Sequence, residues 1–224
     1  MAMIGERVSW GEFSGQHALV AGGSRGLGEA TAKILAAGGG TPLITCHQGT
    51  ADAERVVREI TETGGTASFA LYDAANPDVF LETLRNRNVI PTHVYYFPSP
   101  KIFLKKGRDW DTDVFRRFVE VYVDGFAHLY RICSLVQPDR LVMFYPSTTA
   151  LDKAVVYLAE YTAAKGAGEA LCRYLTGLDP RLSIRIERLP RMTPDQTLTL
   201  MPIAAKDPLP VMLDIIRDLH TISP

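Results

Sequence analysis

Apolar residues fall into short runs along this chain, separated by segments with helical spacing, and the two alternate from one end to the other. His17–Ala21 predicts a first buried strand and Gly26–Ala37 a helix, stopped by Gly38-Gly39-Gly40. A second strand is predicted over 43–46. Val56, Val57 and Ile60 then recur at helical spacing and predict a helix over 51–63, closed by Gly64-Gly65. A third strand is predicted over 66–72, and Asn76-Pro77 reads as the cap and first position of another helix. A fourth strand over 94–97 leads into a loop over 98–110. Phe115, Phe118, Val119, Tyr122 and Phe126 give a long helix over 112–136 an apolar side. A strand over 141–145, an alanine-rich helix over 157–178, a strand over 182–186 and a last helix near 211–219 complete the pattern. Trp10 and Phe13, ahead of the first strand, are expected to cover one edge of the core.

This alternation predicts a single α/β domain over 1–224. Its expected form is a Rossmann-type doubly wound parallel sheet of about six to seven strands, with helices on both faces. Ligands in that architecture bind beyond the carboxyl ends of the strands. The run Gly22-Gly23-Ser24-Arg25-Gly26-Leu27-Gly28 stands there, between the first strand and its helix. Glycines at this point let the backbone turn tightly and approach a pyrophosphate, and the helix start supplies free N–H groups and a positive dipole end. Tight strand-to-helix packing also uses glycines, so the turn alone leaves the ligand open.

Composition narrows the classes. With 46% hydrophobic and 22% charged residues among 224, the chain is ordinary for a soluble globular protein. A formal charge of -1 offers no basic excess for nucleic acid. No apolar run reaches membrane-spanning length. Cys46, Cys133 and Cys172 are odd in number and far apart, as expected of reduced thiols in the cytoplasm. The five histidines, His17, His47, His93, His128 and His220, show no ligand spacing, so no metal site is expected. Met1-Ala2-Met3 leaves open whether the chain is one domain of a longer protein.

Tyr161-Thr162-Ala163-Ala164-Lys165 places a tyrosine and a lysine on one helical face, and Ser147-Thr148-Thr149 follows the fifth strand. With Gly22-xxx-Gly26-x-Gly28, Asp73 after the third strand and Pro190 after the sixth, the chain from about His17 to Pro190 resembles a short-chain dehydrogenase/reductase of ketoreductase type. The resemblance implies an NADP-dependent oxidoreductase that transfers hydride to a ketone or a β-ketoacyl thioester, free or held on a carrier protein. It implies Tyr161 as proton donor, with Lys165 lowering its pKa and holding the nicotinamide ribose. Ser147 is the expected hydroxyl for the developing oxyanion, although the family's usual spacing of thirteen residues before the tyrosine points to Thr148. Gly22, Ser24, Arg25, Gly26, Leu27, Gly28, His47, Asp73 and Lys165 form the expected cofactor set. No acid ends the second strand. Arg25, unless simply solvated, is placed to pair with a 2'-phosphate with help from His47, which favours NADP. Asp73 either bonds the adenine amine or caps the following turn. The resemblance also implies a homo-oligomer, dimer or tetramer, paired through the two long helices.

Three features depart from that family. Phe97-Pro98-Ser99-Pro100 replaces the usual Asn-Asn-Ala-Gly turn, and Tyr122 stands where an asparagine normally holds a relay water. The segment after Pro190 is short for a substrate lid. The short tail implies a site that is open or completed by a partner, while Tyr122 and Phe97-Pro98 favour an alternative, a catalytically weak or inactive NADP-binding sensor or scaffold. Lys101, Lys105, Lys106 and Arg108 form a basic loop that is either solvated or meets an anionic substrate.

Overall fold

A computed structural model of the chain describes residues 2–74, 78–100, 109–153, 155, 157–190 and 207–222. The expected basic loop, the Asn76-Pro77 helix start and the segment 191–206 lie outside them. After a short helix α1 (Ala2–Gly5) come β1 (His17–Ala21), α2 (Gly26–Ala37), β2 (Thr41–Cys46), α3 (Thr50–Glu62), β3 (Ser68–Leu71), α4 (Asp78–Asn86) and β4 (His93–Tyr96). The second half holds α5 (Thr112–Val119), a π-helical turn (Glu120–Asp124), α6 (Gly125–Val136), β5 (Leu141–Thr148), α7 (Ala159–Leu178), β6 (Leu182–Leu189) and α8 (Pro208–Thr221).

The six strands form one parallel sheet in the order β3-β2-β1-β4-β5-β6. Each strand side feeds a different core, as a two-faced sheet requires. Ala18 and Val20 of β1, Tyr95 of β4, and Val142 and Phe144 of β5 join the cluster built with α2, α3 and α8. Leu19, Val94, Tyr96, Met143 and Tyr145 join the opposite cluster with α4, α6 and α7. The strand order reverses between β1 and β4, so their carboxyl ends open a crevice.

Several boundaries differ from expectation for identifiable reasons. The strand β6 continues through Glu187, Arg188 and Leu189, beyond the expected end at Ile186. Ion pairs of Arg188 with Glu169 and Asp152 make that edge acceptable within the sheet. The helix over 112–136 is interrupted by the π turn, and the Val121 carbonyl accepts the Tyr96 hydroxyl at 2.6 Å. Gly125 makes room, since a Cβ there would lie 2.5 Å from that hydroxyl. Phe13 is fully buried against Gly38, but Trp10 stands 74% exposed and covers nothing.

The tightest backbone approach lies between β1 and α2. A Cβ added to Gly28 would sit 2.3 Å from the Gly22 carbonyl oxygen, with backbone on both sides and no flexible neighbour to move. Gly28→Ala is therefore expected to destabilise the fold by about 1–3 kcal/mol or more. Chemical denaturation checks this, and an unchanged midpoint would contradict it.

Candidate active site

The turn after β1 is held from below by β2. The Gly22 N–H donates to Thr45 Oγ1 at 3.2 Å and the Gly23 N–H to the Thr45 carbonyl at 3.0 Å. Gly22 has φ +72, and a Cβ on it would meet the Phe97 and Pro98 backbone at 3.0 Å. Only glycine combines that left-handed backbone with this contact. Gly26 also takes a left-handed φ of +56, and nothing lies within 4 Å of where its Cβ would be. Arg25 is extended at the start of α2, and no side chain caps the first-turn N–H groups. The Leu27 side chain turns into the core beneath.

Above the turn lies a cavity of about 660 Å³. Gly22, Ser24 and Arg25 form its floor, residues 45–48 and 72–74 one wall, and residues 97–100 with Arg117, Glu120 and Val121 the other. His47 Nδ1 and Asp73 Oδ1 face each other at 3.5 Å. Arg25 Nε lies 3.4 Å from Asp52 Oδ2, with both side chains largely in solvent. Five members of the expected cofactor set thus share one cavity: Gly22, Ser24, Arg25, His47 and Asp73.

Tyr161 and Lys165 stand beside that cavity rather than in its lining. Ser99 connects the two regions: it lines the cavity, and its Oγ hydrogen-bonds the Tyr122 hydroxyl at 2.7 Å. The Tyr122 ring is 5.8 Å from that of Tyr161, edge to face, and Phe118 stacks behind it. The Lys165 Nζ donates to the Pro146 carbonyl at 2.6 Å and lies 3.9 Å from the Tyr122 ring centre. Burial lowers the Lys165 pKa to about 7. Burial raises that of Tyr161, and a hydrogen bond from Thr148 opposes the rise.

The two candidate hydroxyls part company here. Ser147, the preferred one, donates to Glu169 Oε1 at 2.6 Å and faces away from Tyr161. Thr148 faces it. Successive strand residues point to opposite sides, so only one of the pair reaches the tyrosine. Sequence reasoning did not single out Glu169. Arg188 holds it in a fork, with Nε and Nη2 on its two oxygens at 2.8 Å each. That grip draws the Glu169 pKa down to about 2. Its signal was available: 161, 165 and 169 follow at steps of four on one helix face.

The family model described as short chain dehydrogenase matches residues 16–87. A 66-residue stretch is 43% identical to a 3-oxoacyl-[acyl-carrier-protein] reductase of Synechocystis sp., covering 30% of this chain and 27% of that protein. The chain thus aligns with about a quarter of that relative's length. Among solved structures, the angucycline C-6 ketoreductase LanV with bound NADP superposes with a TM-score of 0.82 at 20% identity, over 95% of this chain and 91% of that one. A 3-oxoacyl-[acyl-carrier protein] reductase from Brucella melitensis gives 0.80 at 20% identity, over 97% and 88%. The alternative dihydrofolate reductase FolM from Brucella suis, in complex with NADP, gives 0.77 at 18%, over 92% and 88%. Residues 16–87 are thus similar to short-chain dehydrogenases, and the solved structures share this chain's fold. Among the described residues no helix is long and apolar enough to cross a membrane, and no histidine, cysteine or acid cluster could hold a metal.

The Glu169–Arg188 pair has a pH signature. A carboxyl held near pKa 2 stabilises the fold above its ordinary value near 4.5, and this contribution is lost as pH falls through that window. Glu169→Gln is expected to lower stability by about 1–3 kcal/mol at neutral pH and to flatten the loss between pH 4.5 and 2. Melts over that range check it, and an unchanged slope would count against the pair.

Proposed function

We propose that this chain is an NADPH-dependent reductase of a ketone or a β-ketoacyl thioester, with Tyr161 as proton donor. The observation that carries the reading is Tyr161 and Lys165 one turn apart on α7, both against the Tyr122 ring, whose hydroxyl bonds Ser99 of a cavity floored by the glycine turn. The residues present fit the cofactor. The cavity volume lies within the usual range for a small-molecule site. The uncapped start of α2 and the Arg25 guanidinium suit phosphate, and no acid stands at the end of β2 to oppose a 2'-phosphate. His47 and Asp73 are placed to approach the ribose or the base. Several structural neighbours are NADP complexes.

When bound, the cofactor supplies hydride to the carbonyl carbon; the chain supplies the rest. Burial keeps the Tyr161 hydroxyl protonated at neutral pH, the form a proton donor needs in the reducing direction. Thr148 orients that hydroxyl and takes the oxyanion-facing role in place of Ser147. The Lys165 ammonium, one turn along α7, favours the phenolate left after proton transfer and therefore the transfer itself. Tyr122 in place of the relay asparagine, and Phe97-Pro98 beside the cavity, favour a second reading, an NADP-binding sensor or scaffold without turnover. Leu135 on α6 and Tyr174 and Leu178 on α7 are exposed apolar residues, in keeping with a homodimer through the long helices.

NADPH oxidation against a panel of ketones and acyl thioesters tests the reading. Tyr161→Phe is expected to lower turnover about 10²–10⁴-fold. Thr148→Val is expected to lower it about 10²-fold, and Ser147→Ala by far less. Arg25→Ala is expected to reduce the preference for NADPH over NADH about tenfold, as befits an exposed contact. Turnover by Tyr161→Phe at the parent rate would overturn the assignment, and micromolar NADPH binding without any oxidation would establish the second reading.

A further inference from the structure

The Lys165 ammonium is almost wholly buried, yet no carboxylate among the described residues pairs with it. Glu169, on the same helix face, is already taken by Arg188 and Ser147. Its surroundings are otherwise neutral: the Pro146 carbonyl at 2.6 Å, the Tyr122 ring at 3.9 Å, the Tyr145 ring at 5.0 Å, and the Cys172 thiol of its own helix, whose pKa burial pushes up to about 12. Tyr161 stands one turn before Lys165 on α7, its ring edge to face with Tyr122. A cation out of water gains most from a ring face when no water competes for it.

The Tyr122 ring reaches this place because the π turn carries it inward, with its plane stacked on Phe118 and its hydroxyl tied to Ser99. The ring is therefore held at both ends and does not swing away from the charge. We propose that Tyr122 is a positioning residue: its ring face holds the Lys165 ammonium in its charged form within reach of Tyr161. The functional consequence rests on the reductase reading, but the contact itself does not.

The ring favours the ammonium, so removing it leaves burial opposed mainly by the Pro146 carbonyl and moves the lysine titration to lower pH. Titration of the Lys165 ¹⁵Nζ resonance in lysine-labelled protein, assigned with Lys165→Arg, reads this without cofactor. Tyr122→Phe keeps the face, loses only the Ser99 bond, and is expected to titrate with the parent. Tyr122→Leu is expected to titrate lower by about one pH unit. Trifluorophenylalanine introduced at position 122 preserves shape while weakening the ring's negative face, so it is expected to fold and to shift in the same direction. In turnover, the alkaline limb of kcat/KM is expected to move to lower pH with Tyr122→Leu and to stay in place with Tyr122→Phe.

A fluorinated variant that titrates with the parent would overturn the proposal, as would a Tyr122→Phe shift equal to that of Tyr122→Leu. If the lysine responds as expected while no substrate is reduced, the contact stands and the reductase reading falls. If substrates are reduced and the lysine does not respond, the reverse holds.

Discussion

The closeness of two backbones at the end of β1 governs everything at the ligand edge. The Gly22 carbonyl lies against Gly28, with no space for even a methyl group between them. Thr45 holds the turn from the neighbouring strand, and Phe97 and Pro98 close over it. The start of α2 is thereby brought beneath the cavity with its N–H groups uncapped by any side chain. Arg25 can stand at the cavity mouth only because the glycines on either side let the chain turn so sharply.

Much of this was legible in order along the chain. Alternating apolar runs identified the parallel sheet, and five of the residues expected around a nucleotide do share one cavity. The catalytic end was harder to read. Ser147 and Thr148 are adjacent, and only the strand's alternation of sides, together with Glu169, separates their roles. The π turn was invisible because its residues have ordinary helical character. It is stabilised by tertiary contacts, the Tyr96 hydroxyl on Val121 and the room left at Gly125. Charge at the end of β6 concealed three strand residues that long-range ion pairs make compatible with the sheet.

The departures from the usual residues of the family the sequence resembles gather in one place. Pro98 and Ser99 line the cavity, Ser99 bonds Tyr122, and the Tyr122 ring faces Lys165. An aromatic ring thus occupies the surroundings of the lysine where the resemblance leads one to expect an amide and a water. The residues at 97–100 and 122 therefore form one connected wall from the cavity to the buried Lys165.

The central claim is that this cavity receives NADPH in preference to NADH. Titrating the purified chain with each nucleotide, followed by calorimetry and by the fluorescence of the reduced nicotinamide, tests it most directly. The account predicts saturable binding of one NADPH per chain, weaker binding of NADH, and displacement of NADPH by adenosine 2',5'-bisphosphate. Equal affinity for the two nucleotides, or no saturation by either, would contradict it.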